Sequence, residues 1–181
     1  MIQIRKGVFE TNSSSSHSIV ITKENKPITE MIEYKYLNDK GKMHFWEHEL
    51  SFGRTPFAIL SNWQDRLCYA IASKHDSLMN EIEDLCYIHI VGFTGFTFDK
   101  SNWGDGYEYG YVDHQSYGLL DKLLEKTTLE DFIFNDKYIV IIDGDEYNVF
   151  ETLMETPLYN DENVEKIIPY NEWSYEEEND V

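Results

Sequence analysis

Read only as apolar and polar positions, the chain alternates short strand-like runs with two longer stripes at helical spacing. Residues 2 to 5 (IQIR) and 17 to 22 (HSIVIT) are rich in β-branched side chains and are expected as short strands. The serine run between them breaks the pattern, and the two strands are expected to pair with that run as their connection. From Pro27 to Leu37 (PITEMIEYKYL), proline opens a segment in which Ile28, Met31, Ile32 and Tyr36 recur at helical spacing, which predicts a helix. Residues 43 to 52 (MHFWEHELSF) read as an aromatic-rich strand ended by Gly53. The strongest helical stripe follows, with Thr55 as N-cap, Pro56 at the first helical position, then Phe57, Ile59, Leu60, Trp63, Leu67, Ala70 and Ile71. A second helix over 76 to 87 places Leu78, Ile82, Leu85 and Cys86 on one face, with Asp76 as its cap.

Further on, IHIVGFTGFTFD reads as a strand region with two glycine interruptions. SNWGDGYEYGYVDHQS reads as a structured loop whose rings pack while its glycines absorb the turns. Residues 117 to 126 and 128 to 134 are expected as helices, the second opening on Thr128 and the pair Glu130 and Asp131. KYIVIID, 137 to 143, is a continuous apolar run of central-strand type. A helix over 146 to 155 and a last short strand around EKIIPY complete the pattern. Together these elements predict one α+β domain over residues 1 to 170, a mixed or antiparallel sheet packed by helices near 55 to 73, 76 to 87 and 117 to 134. Residues 171 to 181 form an acidic C-terminal tail.

Composition narrows the class. A chain of 181 residues buries roughly two thirds of the surface its unfolded form exposes, so a single core needs no staples. The two cysteines, Cys68 and Cys86, lie among apolar neighbours in predicted helices and are expected as buried thiols in a reducing cytosol. The opening MIQIRKGVFE lacks the apolar stretch of a signal peptide, and no apolar run reaches membrane-spanning length, so a soluble cytoplasmic protein is expected. Charge is lopsided: 15 Lys and Arg stand against 34 Asp and Glu, a formal net charge of -19. Such a field repels nucleic acid and anionic membranes and draws in basic protein surfaces, although acidity also serves plain solubility. From Gly144 onward twelve acids face the single lysine Lys166. Aromatic residues make up 15% of the chain, which argues for a folded protein and against disorder.

The stretch FETNSSSSHS raises the question of catalysis. Ser16 and His17 are adjacent, so in an extended segment their side chains point to opposite faces, which counts against a nucleophile and base pair. No GxSxG elbow or SxxK occurs. Serine and asparagine side chains instead satisfy nearby backbone groups, so Thr11, Asn12 and Ser13 to Ser16 are read as a hydrogen-bonded connector with His17 starting the strand. Among six histidines only His44 and His48 have helical ligand spacing, and there is no HExxH, CxxC or EF-hand loop, so no metal is expected. Asp105 and Glu108 lack the alternation of a calcium loop, and neither GFTGF nor GDGYEYG is a phosphate cradle, so no cofactor is expected either.

FETNSSSSHS after IRKGV, followed by FGRTPFAIL and the VDHQS segment, spans about residues 4 to 116 and resembles a family of small proteins encoded by phages and mobile elements of Gram-positive bacteria. The family residues carried by those motifs are Glu10, Thr11, Asn12, Ser13, Ser14, Ser15, Ser16, His17, Asp113 and His114. In that setting an acidic, aromatic-rich chain without catalytic motifs also looks like an anti-CRISPR protein directed at type II-A Cas9. The resemblance implies stoichiometric, non-catalytic binding to the basic channels of Cas9 or its guide RNA complex in the bacterial cytoplasm. An acidic surface would stand in there for phosphates, with no direct contact to nucleic acid or membrane. Glu172, Glu176, Glu177, Glu178 and Asp180 would steer that encounter and Trp173 and Tyr175 would anchor it. Two alternatives stay open: a small hydrolase or transferase in which His17, Asp113, His114 and the serine run converge, and a structural phage protein that self-associates, a homodimer included.

Overall fold

The computed structural model describes residues 16–53, 58–74, 78–99, 110–113, 116–143 and 164–169. Its elements in chain order are β1 (Ser16–Thr22), β2 (Lys42–Phe45), a 3-10 turn (Glu47–Leu50), β3 (Ser51–Phe52), β4 (Ala58–Leu60), α1 (Trp63–Lys74) and α2 (Met79–His89). There follow β5 (Gly95–Phe98), β6 (Tyr111–Val112), α3 (Leu119–Leu124), α4 (Leu129–Phe134), β7 (Tyr138–Asp143) and β8 (Val164–Pro169). The fold is α+β, as the pattern predicts.

The apolar run KYIVIID becomes β7, an inner strand of a four-stranded antiparallel sheet of order β4-β7-β1-β8. Register explains why residues 138 to 142 of that run carry no polar alternation. His17 opposite Ile142 and Ile19 opposite Val140 face the main core, together with Leu60 and Ile168. Val20 opposite Ile139, with Ile141 and Ile59, form a second apolar cluster on the other face. A strand buried on both faces has no use for polar alternation. Both edges of β1 are taken by β7 and β8, which replaces the expected pairing with residues 2 to 5; those residues lie outside the described ones. Two parallel strand pairs, β2 with β5 and β3 with β6, complete the β structure among the described residues.

Three elements differ from expectation. Residues 27 to 37 are not a helix: the Ile28 amide donates to the Phe134 carbonyl at 2.7 Å, the Ile32 amide to His89 at 2.7 Å, and the Val91 amide to the Ile32 carbonyl at 3.0 Å. Backbone groups bonded to distant elements are not available for i to i+4 bonds, and burial there follows Ile32 and Tyr34, a strand period. Residues 43 to 52 split into β2, the 3-10 turn and β3. The long helix expected from Thr55 begins only at Trp63, because Ala58 to Leu60 pair with β7 as an edge strand. Asn62 caps α1 instead: its Oδ1 accepts from the Asp65 amide at 2.9 Å while its Nδ2 donates to the Asp65 carboxylate at 2.7 Å. Thr55, Pro56, Asp76 and the expected helix over 146 to 155 lie outside the described residues. Thr128 caps α4 as expected, its Oγ1 accepting from the Asp131 amide at 3.1 Å.

α1 is enclosed on nearly all sides, with Arg66, Leu67, Tyr69, Ala70, Ile71 and Ala72 all buried. Arg66, on its first turns, has no exposed surface. Nε donates to the Ile133 carbonyl at 3.0 Å, Nη1 to Ser61 at 2.6 Å and Tyr138 at 3.1 Å, and Nη2 to Asp136 Oδ1 at 2.9 Å. One planar fork thus closes the end of α4, the start of β7 and the exit of β4. Beside it, Asp131 accepts from Lys137, Asn135, Tyr138 and Thr127. Burial alone would raise its carboxyl, yet those bonds outweigh it and hold the group at about 2. Cys86 is a free thiol pushed up to about 12 by burial, and the free, half-buried Cys68 is pushed up for the same reason, so both are unreactive.

Replacing Arg66 by Ala removes the donors from two buried carbonyls, Ile133 and Tyr138, and from the part-buried Ser61 carbonyl, and is expected to cost about 3 kcal/mol or more. Asp136→Asn, at a half-exposed position that keeps those bonds, is expected to cost about 1 kcal/mol. Urea unfolding of the two variants beside the parent measures the difference, and equal losses would remove the special standing of the Arg66 fork.

Candidate functional site

Described residues of FETNSSSSHS, FGRTPFAIL and VDHQS meet at one place. β1 begins at Ser16, which pairs through its backbone with Asp143, and delivers His17 to the core face of the sheet. β3 brings Phe52, the first residue of FGRTPFAIL, beside Val112 of β6, and the Asp113 amide donates to the Phe52 carbonyl at 3.1 Å. The chain then turns, the Ser116 amide donating to the Asp113 carbonyl at 2.9 Å, so that Ser116 Oγ accepts from the His17 amide at 3.0 Å. Two glycines allow the close approach. A Cβ on Gly53 would fall inside the Tyr111 ring, and one on Gly110, at φ +110°, would strike the Leu50 backbone.

The imidazole of His17 faces neither Ser116 nor solvent. Nδ1 lies 3.1 Å from Tyr69 Oη, and the ring also bonds the Phe52 carbonyl. Burial pulls His17 down to about 4, with the Phe52 carbonyl drawing it partly back, so the ring is neutral at physiological pH. A neutral imidazole has one donor and one acceptor. The carbonyl can only accept, so the second ring nitrogen gives it the proton and Nδ1 accepts from the Tyr69 hydroxyl. Burial pushes Tyr69 upward, keeping that phenol protonated. His17 and Tyr69 are 0% exposed, Ser116 2% and Asp113 6%. Such a set joins β1, α1, β3 and Ser116 beyond β6, with the His17 ring bonded to Tyr69 and the Phe52 carbonyl.

The remaining sequence candidates fall elsewhere. Glu10 to Ser15, His114, and Glu172, Trp173, Tyr175, Glu176, Glu177, Glu178 and Asp180 lie outside the described residues. His44 and His48 do not share a helix face. His44 is on β2, with Nδ1 3.1 Å from Thr97 Oγ1 and Nε2 3.4 Å from Asp99, while His48 is in the 3-10 turn and exposed. Among the described residues no group of three or more His, Cys, Asp or Glu is placed to hold a metal ion, and no helix is long and apolar enough to cross a membrane. Sequence reasoning missed Tyr69 and Ser116. Tyr69 lay beside the predicted apolar stripe of its helix, and its one signal was the burial of a helix enclosed all round.

No protein-family model, curated protein or solved structure matches the chain.

The folded-state pKa of His17 lies below its unfolded value, so its neutral burial contributes stability that is full above about pH 6.5 and lost as pH falls toward about 4. The loss is on the order of 3 kcal/mol. Chemical denaturation across that window should be shallower in pH for His17→Gln than for the parent, by up to one proton. Parallel curves would place His17 in an environment other than the one described.

Proposed function

We propose that the protein is a non-catalytic inhibitor of a bacterial defence nuclease, with Cas9 or its guide RNA complex as the target, acting through an acidic exterior that takes the place of nucleic-acid phosphates. The observation that carries the reading is the excess of 34 acids over 15 basic residues on a folded, aromatic-rich chain. Cas9 holds its guide and target in basic channels, which such a surface complements. The burial of His17, Tyr69, Asp113 and Ser116 supports the same reading, since the His17 ring is bonded to Tyr69 and the Ser116 hydroxyl oxygen to the His17 amide, inside the core. The tail residues Glu172, Glu176, Glu177, Glu178 and Asp180, with Trp173 and Tyr175, belong to this proposal as steering charges and anchors.

One observation favours an enzyme as the second reading: all three resemblance stretches converge on that polar set. Stoichiometry separates the two. Titrated into Cas9–guide complex at physiological salt, a binder should abolish cleavage of a matched target near equimolar ratio, without dependence on incubation time. Inhibition should fade as added salt shortens the screening length from about 10 Å at 0.1 M toward about 3 Å at 1 M. Unchanged cleavage in molar excess ends the inhibitor reading; time-dependent inactivation at substoichiometric amounts replaces it with the enzyme.

A further inference from the structure

Large apolar side chains gather on one exposed part of the molecule and their placement is not accidental to the fold. A parallel bridge joins Ile32 to Ile90 just past the end of α2, fixed by the Ile32 amide to His89 carbonyl bond and the Val91 amide to Ile32 carbonyl bond. Ile32 and Ile90 turn inward to the core. Their neighbours therefore turn outward. Met31 is 56% exposed, Val91 47%, and on the last turn of α2 Ile88 is 62% and Tyr87 50% exposed. Tyr87 is held in place, its hydroxyl donating to the Thr94 carbonyl at 3.0 Å and its ring meeting Phe93 edge-on at 5.2 Å. A fixed aromatic ring beside aliphatic groups is the composition of an interface anchor.

The exposed charges carried by the segments that build this face are acidic, while lysines border it: Lys35 follows the first segment, and Lys42 stands with Glu83 beside Gly95. On the two segments that build the face, 28 to 34 and 78 to 91, the exposed charged residues are Glu30, Glu33, Glu81 and Asp84, and neither segment contains a lysine or arginine. Glu130, paired with His89 at 2.8 Å, continues the rim. An apolar centre with a carboxylate rim excludes phosphate-bearing ligands and complements a protein surface whose apolar residues are flanked by Lys and Arg.

We infer that the outer face of α2, with Met31 and Val91, is a docking surface for a cationic, apolar-centred segment of a partner protein. The inference rests on the reading that the protein works by binding a basic partner, and it adds Tyr87, Ile88, Val91 and Met31 as anchoring contacts beside those of the tail.

A synthetic amphipathic peptide with a leucine stripe flanked by lysine and arginine, and a scrambled control, serve as probes independent of any nuclease. Amide shifts of the full chain should move at residues 29 to 33 and 81 to 91 with the ordered peptide only. Ile88→Ser with Val91→Ser should weaken binding at least tenfold, and Glu81→Gln with Asp84→Asn should weaken it less and flatten its salt dependence. Both pairs are exposed, and an unchanged unfolding midpoint checks that the fold is intact. Binding that maps elsewhere, or that survives Ile88→Ser with Val91→Ser, overturns the inference, as does loss of a concentration-dependent dimer in that variant, which would assign the face to a second copy. The same variants in the Cas9 cleavage titration keep the two claims apart. Inhibition retained by the apolar variant sinks the docking face and leaves the inhibitor reading standing. Peptide docking on this face without inhibition by the parent does the reverse.

Discussion

A guanidinium without contact to water is tolerated only where its donors are used, and Arg66 uses its donors on the carbonyls of Ser61, Ile133 and Tyr138 and the carboxylate of Asp136. Those carbonyls belong to the end of α4, the start of β7 and the residue after β4, where the chain leaves regular structure while still buried. Without the fork they would be orphaned inside the core. Its position explains why α1 is central: α1 packs on α4, α2, β3 and β6, and the helix that carries the fork has to reach all of them. The neighbouring Asp131 and Asn135 carry the same task further. Asn135 accepts from the amides of Lys26 and Lys137 and donates to Asn25 and Asp131, so the extended segment before Pro27 is tied to the same corner.

A second polar set, around His17, does for the other end of the sheet what Arg66 does for the α4–β7 corner. Here the imidazole of His17 and the phenol of Tyr69 are neutral, and their bonds run to each other and to a backbone carbonyl. Neutral partners avoid the cost of burying a charge, and they fix β1 against α1 and the β3–β6 pair. Both sets place polar chemistry inside as architecture. Apart from the buried Arg66, carboxylates outnumber basic groups over the whole chain, and exposed apolar side chains such as Tyr87 and Ile88 stand on its surface.

The resemblance stretches take on a different meaning in this light. FETNSSSSHS read as a connector through Ser16 with His17 starting a strand; β1 begins one residue earlier, at Ser16, and residues 11 to 15 lie outside the described ones. That FGRTPFAIL and VDHQS would close around the same histidine was not readable, since residues 17, 69 and 116 are brought together by strand pairing and helix packing, and their spacing along the chain has no period.

Local pattern determined those elements whose burial follows from their own residues. KYIVIID was an inner strand because an unbroken apolar run demands cover on both faces; the helix at 128 to 134 was set by its Thr128 cap, and the α2 stripe by Ile82, Leu85 and Cys86 at helical spacing. Tertiary structure decided the segments whose local signal competes with partners far along the chain. Residues 27 to 37 have helical spacing, yet their amides and carbonyls bond α2 and α4; Ala58 to Leu60 look like a helix start, yet complete the edge of β7. In each case a few backbone hydrogen bonds to a preformed neighbour outweigh a helix propensity worth a fraction of a kcal/mol per residue.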